Sequence, residues 1–341
     1  MNDRTVTLQR RQLLLAAGGL AALGLAARPA RAQEMLRQAT LVIGSPAGGA
    51  TDKMARMYAD ALRGRYAENV IVENKPGAGG AIAYEGVKRS GVKDGSLVFL
   101  SPAYPIVISP HLVRNLPYDT LRDFVPVAPT GRSFMTYAVG PAVPESVTTF
   151  QQYLAWCKEN PKQALYAAQT GSSQHLLGSV LALSTGVPLE NVSYKGDAPA
   201  MQDLMGGHVP AVVLPIASAL PLYRQGKLRV LASAKAQRSK SLPDVPTFTE
   251  MGYRDVLFQD WLGVFAPADT APAQVKRLNE AIAEVARSPK GIEALEGMGF
   301  EAEIASPEQF AGMVRADHQR YAGFIERTRF REAFEKAGGG R

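Results

Sequence analysis

Two short stretches have residue types and spacing that could do chemistry. The first is Ser45-Pro46-Ala47-Gly48-Gly49-Ala50-Thr51-Asp52. An apolar run, Ala39 to Ile43, leads into it, and Met54, Met57, Tyr58, Ala61 and Leu62 leave it with the period of an amphipathic helix. The spacing predicts a strand, a small-residue turn and a helix. Gly48 and Gly49 let the backbone approach a ligand with no side chain in the way. Thr51 or Asp52 can cap the helix. The first helical amides have no intrahelical partner, and the helix dipole favours an anion above them. An ordinary βα turn has the same pattern, so this stretch alone decides nothing. The second stretch is Thr170-Gly171-Ser172-Ser173-Gln174-His175, another loop opening a helix. Its Ser and His invite a hydrolase reading. There is no G-x-S-x-G elbow, however, and Ser and His lie on adjacent turns of one helix start. Caps plus a ligand-facing loop is the expected role.

Other chemical candidates are weaker. Gly77, Gly79 and Gly80 suggest a phosphate loop, but Ile82 stands where a dinucleotide fingerprint needs its third glycine, and no Lys-Ser/Thr follows. A turn with close helix packing is expected there. His111, His175, His208 and His318 are scattered without metal-ligand spacing, so no metal is expected. Lys195 could meet a carboxylate or be a solvated loop charge. Tyr104 and Trp261 could line a cleft or pack at a hinge. Cys157, the single cysteine, lies in an apolar-patterned run and is expected in the core.

The elements that must position these residues alternate. Strands are expected at Val70–Val72 and Leu97–Ser101, with a helix through Val87 between them; such βαβ succession argues a parallel sheet. Phe124 to Val139 reads as a longer extended segment crossing into a second domain. There, Leu165–Ala167, Val192–Tyr194, Val209–Leu214 and Leu228–Ser233 are strands, with helices from Thr149, His175 and Ala198 or Pro199. Trp261 to Pro267 is the return crossover, before the amphipathic helix of Val275, Leu278, Ile282 and Val285. Ser306 caps a long C-terminal helix with Pro307 at its first position. The expected fold is α/β: two domains, 34–137 plus 260–341 and 138–259, joined by two crossovers. Loops at the strand C-termini then face each other across a cleft, where open α/β sheets bind ligands.

The chain has 341 residues, 46% hydrophobic and 20% charged, a globular composition. Residues 1–32 read as a bacterial export signal. Gln9-Arg10-Arg11-Gln12-Leu13-Leu14 is a twin-arginine n-region, Leu13 to Ala27 is an uncharged apolar stretch, and Ala30-Arg31-Ala32 fits a cleavage site. A general secretory route stays open. The expected location is the periplasm, after cleavage behind Ala32. The signal carries five arginines against one aspartate, so removing it takes the formal charge from +7 to +3. That is no nucleic-acid signature; there is no basic stripe with interleaved aromatics.

An ordered series of motifs also carries a resemblance. It runs through Pro46-Ala47-Gly48-Gly49-Ala50-Thr51-Asp52, Val72-Glu73-Asn74-Lys75-Pro76-Gly77-Ala78-Gly79-Gly80, Asn115-Leu116-Pro117-Tyr118-Asp119 and Gly171-Ser172-Ser173. It continues with Tyr194-Lys195-Gly196, Gly226-Lys227-Leu228-Arg229, Leu242-Pro243-Asp244-Val245-Pro246-Thr247 and Gly263-Val264-Phe265-Ala266-Pro267. The chain resembles the Bug (TctC-like) periplasmic solute-binding proteins of tripartite tricarboxylate transport systems. The resemblance implies a type II periplasmic-binding fold, no catalysis, no cofactor, and a carboxylate held in the cleft. The implied ligand-binding set is Ser45, Ala47, Gly48, Gly49, Thr51, Asp52, Ser101, Tyr104, Thr170, Gly171, Ser172, Ser173, His175, Lys195, Asp197 and Ala198. The implied partners are a small carboxylate and integral-membrane transporter subunits, with the receptor a monomer. Where the family usually has an aromatic residue this chain has Ser45. Ser179 replaces a Glu, and Pro210 and Leu214 replace acidic positions. A carboxylate sensor that presents its ligand to a membrane sensor kinase is the alternative, and a serine hydrolase built on Ser172, Ser173 and His175 the remote one.

Overall fold

The computed structural model describes residues 35–254 and 256–336, leaving aside the side chain of Gln259. The expected export signal lies outside the described residues. Arg37–Arg341 clusters as one compact unit.

The first half runs β1 (Leu36–Ile43), α1 (Ala50–Leu62), β2 (Ala67–Asn74), α2 (Ala81–Arg89), β3 (Leu97–Pro102) and the short helix α3 (Ala103–Val107). The long strand β4 (Phe124–Val139) follows. Next come α4 (Phe150–Glu159), β5 (Leu165–Gln169), α5 (Ser173–Thr185), β6 (Glu190–Tyr194), α6 (Asp197–Met205), β7 (Ala211–Pro215), α7 (Ile216–Arg224) and β8 (Arg229–Ser233). The chain returns through β9 (Gln259–Pro267) and ends in α8 (Pro272–Arg287), α9 (Pro289–Gly297), α10 (Pro307–Arg327) and α11 (Phe330–Lys336).

The strands form one mixed sheet in the order β2-β1-β3-β9-β4-β7-β5-β6, with β8 also on β4. The βαβ pairs are parallel, as the alternating pattern predicts: β1 with β3, and β5 with β6 and β7. The two crossovers are antiparallel to their neighbours. β9 lies between β3 and β4, with Phe99 opposite Phe265 on one side and Phe124 opposite Pro267 on the other. Farther along, β4 leaves β9 and pairs with β7 and β8. One 16-residue strand therefore belongs to both halves of the sheet.

β4 carries Pro126 and Pro129, which cannot donate to a ladder, and prolines inside a sheet are tolerated at bulges. The register against β9 slips between Pro126 and Ala128 and again between Pro129 and Gly131. The two skipped residues are Val127 and Thr130, both buried. A buried carbonyl off its ladder needs another donor. Asn279 of α8 supplies one: its Nδ2 donates to Val127 O and to Ala305 O, both at 2.8 Å. Tyr58 of α1 supplies the other, its hydroxyl donating to Thr130 O at 2.6 Å. The bulges thus dock two helices onto the crossover strand.

Helix starts follow local chemistry. Thr149 and Gln152 form a capping box on α4, and Ser306 and Gln309 form one on α10, with Pro307 at the first helical position. The α1 expectation is corrected. Its N-cap is Gly49, with no side-chain cap, because the Asp52 side chain turns back to bond the Gly48 amide. Four helices are additions to the sequence reading: α3, α7, which holds Pro221, α9, and α11, set off from α10 by Arg329 in the left-handed region. Cys157 is buried, as expected. Among the described residues, no helix is long and apolar enough to cross a membrane.

Tyr58→Phe removes only the donor to Thr130 O. The orphaned buried carbonyl is expected to cost about 1–3 kcal/mol. Urea denaturation should show a lower midpoint at unchanged slope; an unmoved midpoint would mean that the bulge does not depend on this bond.

Candidate functional site

The first predicted loop is a backbone surface held from beneath. Ala47 to Ala50 are exposed, Ser45 and Thr51 are half-buried, and Asp52 is buried. The Asp52 carboxylate accepts from Arg56 Nε at 3.0 Å and Nη2 at 2.9 Å, from Asn74 Nδ2 at 2.9 Å, and from the Gly48 amide at 2.9 Å. Asn74 Nδ2 also donates to Ser45 O at 3.2 Å. The Arg56 guanidinium is the main reason that Asp52 is pulled down to about 2, helped by the Gly48 amide and Asn74 against the effect of burial. This carboxylate is committed to closing the turn, so Asp52 supports the loop and leaves the first-turn amides of α1 to face outward. The Gly77–Gly80 turn lies alongside. A Cβ on Gly44 would stand 2.5 Å from Gly80 Cα, so the close packing expected of these glycines is present.

Ser101 does not reach a cleft surface. It is fully buried, and its hydroxyl donates to Tyr84 Oη and to Pro102 O, each at 2.8 Å. Tyr104, the second residue of α3, is half-buried, and its hydroxyl donates to Gly79 O at 3.4 Å. Its other polar neighbours are Gln169 at the end of β5 and Asp260 on β9. Tyr104 is therefore where the loop after β3 meets the second half.

In the second loop, the Ser172 hydroxyl caps α5 by accepting from the His175 amide, and it donates to Gln169 O at 2.6 Å. Ser172, Ser173 and His175 are all buried. The His175 ring meets Phe330 of α11 edge-on at 4.4 Å, and its Nδ1 accepts from the Gly171 amide. Burial holds the imidazole down at about 4. A Cβ on Gly171 would lie 2.6 Å from the Phe334 ring. The C-terminal helix thus covers this part of the loop, and Ser172 and His175 support it from inside. Among the described residues, no hydrogen bond joins a serine hydroxyl to the His175 ring. Thr170 remains half-buried, with its hydroxyl on Ser193 Oγ at 2.6 Å.

The third loop offers one engaged acid. Lys195 and Ala198 are exposed and Asp197 is half-buried. Asp197 Oδ1 accepts from Gln174 Nε2 at 2.9 Å, and Oδ2 from Ser218 Oγ at 2.5 Å. Burial raises its pKa despite these two donors. Asp260, outside the expected ligand-binding set, is half-buried. It stands at the start of β9, opposite Ser133 of β4, where β9 meets the C-terminal ends of the parallel strands. Burial pushes its carboxyl up to about 7, with Asp197 and Asp317 adding to the rise and the amides of Ala103 and Trp261 opposing it. The neighbouring Trp261 is core, its Nε1 donating to Asp317 Oδ2 at 2.9 Å.

Five segments therefore come near one another: those that follow β3, β5, β6 and β7, and the start of β9. Among the described residues, no hydrogen bond or ion pair joins the 45–52 turn directly to the 170–175 loop. Two surface hollows, of about 350 and 320 Å³, lie elsewhere, beside His111 and Arg329 and beside Arg254 and Arg320. No cluster of His, Cys, Asp and Glu suited to a metal occurs among the described residues.

A mixed sheet threaded by two antiparallel crossovers, with glycine-rich βα loops on its strand ends, defines a two-domain periplasmic binding protein. The model of the tripartite tricarboxylate transporter family receptor matches residues 54–329, and the chain belongs to that family. Protein BugT of Bordetella pertussis is 33% identical over 310 residues, covering 91% of this chain and 94% of BugT. A Cupriavidus necator protein from the gbd 5′ region is 34% identical over 331 residues, covering 94% of this chain and 98% of that one. Among solved structures, R. palustris Rpa4515 with adipate has a TM-score of 0.79 at 29% identity, covering 86% of this chain and 97% of its own. MatC from Rhodopseudomonas palustris with bound malate has a TM-score of 0.75 at 25% identity, covering 85% and 99%.

The tie beneath the first loop has a pH signature. Asp52 has a pKa of about 2 in the fold against an ordinary 3.8, so between those values the unfolded chain binds more protons. The stability contributed by the tie is complete above that window and lost as pH falls through it. Asp52→Asn should cost about 1–3 kcal/mol at pH 7 and flatten the acid limb of a stability-against-pH curve. An acid limb identical to the parent's would show that the tie does not contribute.

Proposed function

We propose that this protein is a periplasmic receptor that captures a small carboxylate between two lobes and delivers it to a tripartite tricarboxylate-type membrane transporter. The lobes are 34–137 with 260–341, and 138–259, and β4 and β9 are the hinge strands. The observation that carries the reading is the exposed Ala47–Ala50 turn: the one acid near it is tied to Arg56, Asn74 and the Gly48 amide, and the rest of the backbone at the start of α1 lies open. Such a turn offers fixed amide donors at a helix N-terminus, which suits a carboxylate without an arginine. The adipate and malate of the related proteins point to the same ligand class. Thr170 and the amides before α6 would meet the carboxylate from the other lobe, and closure of the lobes would exclude water. The mature chain would begin at Gln33 and act as a monomer.

Ala50 is the first residue of α1, and the preceding Gly49 has φ −75° and ψ 174°, a conformation that a following proline accepts. Ala50→Pro therefore deletes one ligand-facing amide at little cost to the helix. With dicarboxylates of four to six carbons as probes, the purified mature chain should melt higher as ligand is added. Ala50→Pro should weaken that binding by about 10- to 100-fold with the ligand-free melting temperature retained. No thermal shift across the carboxylate series would overturn the reading.

A further inference from the structure

The two surface hollows differ in charge. The one of about 350 Å³ mixes signs, with His111, Arg329 and Arg331 beside Glu326 and Glu332. The one of about 320 Å³ is lined by Arg254 and Leu257, just before β9, and by Arg320, Phe324 and Arg327 of α10; none of its described lining residues is acidic. Two of its arginines are held in place. Arg320 Nη2 donates to Leu257 O, which ties α10 to the 254–257 segment. The Phe324 ring is buried and stacks on Phe258 at 5.2 Å. The guanidiniums of Arg327 and Arg320 lie over it, at 5.0 and 5.6 Å from its centroid. Arg320 Nη1 is 3.9 Å from Asp317, an acid already engaged by Trp261 Nε1. Among the described residues, Arg254 and Arg327 form no ion pair.

A guanidinium stacked on an aromatic ring has one face covered and its N–H edge free, and it has little rotamer freedom left to lose when an acceptor arrives. Three like charges around one hollow repel one another until an anion enters. A carboxylate is the acceptor whose two oxygens match a guanidinium edge. Leu257 and Phe324 add apolar surface, and arginine beside aromatic residues is the composition of binding hot spots. A free phosphate would leave most of the hollow unfilled. Attachment to an anionic membrane takes about four to eight clustered cations, more than line this hollow. A protein segment bearing carboxylate side chains fits both its charge and its size.

We infer that the hollow between Arg254, Arg320 and Arg327 docks an acidic segment of the membrane partner that takes the ligand from this receptor. This rests on the receptor reading above, which requires such a partner, and adds where on the surface it sits. Arg254 lies in the proposed 138–259 lobe and α10 in the other, so a segment seated in the hollow touches both. Arg254 and Arg327 are exposed and make the contact. Arg320, half-buried and held on Leu257 O, fixes the two sides of the hollow against each other.

Uptake of a radiolabelled dicarboxylate that the parent binds tests it, in host cells whose receptor gene is replaced by the parent or a variant, against cells lacking the gene. Calorimetry with the same dicarboxylate on the purified mature chain runs alongside. Arg254→Glu and Arg327→Glu should each lower uptake about tenfold or more and leave dicarboxylate affinity and melting temperature at the parent's values. Arg327→Lys, which keeps the charge, should retain more uptake than Arg327→Glu. Two variants on different elements guard against one that fails to fold. Parental uptake by both Glu variants would overturn the inference and leave the receptor standing. So would a loss of uptake matched in both by a loss of dicarboxylate binding. So would parent binding to phosphatidylglycerol vesicles or to inorganic phosphate that both substitutions abolish, because the hollow would then read a lipid or a free anion. Binding without uptake by the parent would overturn delivery to a transporter, and this inference with it. No binding of any dicarboxylate in the series would overturn the carboxylate reading as well.

Discussion

The antiparallel ladder between β4 and β9 is the constraint on which the rest of the molecule depends. It runs from Phe124 opposite Pro267 to Phe134 opposite Gln259, and β4 continues beyond it onto β7 and β8 in the other half of the sheet. Two prolines on β4 forbid a regular ladder, so the strand bulges twice, and each bulge leaves a buried carbonyl off register. Those carbonyls are met by Asn279 and Tyr58, side chains 152 and 72 residues away in sequence. A break in local pairing is thus converted into long-range attachment. α8 and α1 cannot shift along the crossover without exposing a buried carbonyl. α1 in turn carries the Ala47–Ala50 turn, so the position of the candidate anion cradle is set from the hinge strand.

The cradle follows a second economy, that of charge. A carboxylate ligand needs donors, and a fixed cation in an open turn would hold counter-ions and water in its place. Here Arg56 is kept on Asp52, and Asp52 is kept on Asn74 and Gly48. The pair is close to neutral from outside, so the dipole of α1 and its free amides are left as the dominant local field. The rigidity comes from bidentate geometry, which fixes direction as well as distance. Removing Asp52 would then act on the turn's shape before it acted on any ligand.

The sequence was most informative where structure is local. Ser306 as cap with Pro307 following it, the helix after Thr149, and the crossover segments at 124–139 and 261–267 depend on neighbours within a few residues, and each appears in the fold. The site was legible as loops but not as side chains. Ser101, Ser172 and His175 have polar types at loop positions, which reads as ligand contact. Their burial is decided by Tyr84 on α2 and by Phe330 and Phe334 on α11, and no spacing rule connects such distant residues. α11 itself was hidden because the apolar pattern of α10 continues past Arg327, and only the left-handed Arg329 separates the two. Asp52 was read as a cap because its type and place fit one. The carboxylate reaches one residue farther back than the cap position because Arg56 and Asn74 draw it there.

Asp260 carries the same lesson furthest. In sequence it is an acid between Gln259 and Trp261, a pattern that reads as the polar edge of a strand. One of its carboxyl oxygens is sealed from solvent because β9 runs antiparallel to its neighbours, so the start of β9 falls at the end where the parallel strands finish. That topological reversal places a strand's first residues on the floor of the region where α/β loops converge. A solvent-facing acid would need no partner. An acid whose carboxyl burial pushes up in this way must be protonated, paired or liganded. Reversing one strand thus turns an acid that reads as a strand edge into one whose carboxyl is pushed up by burial.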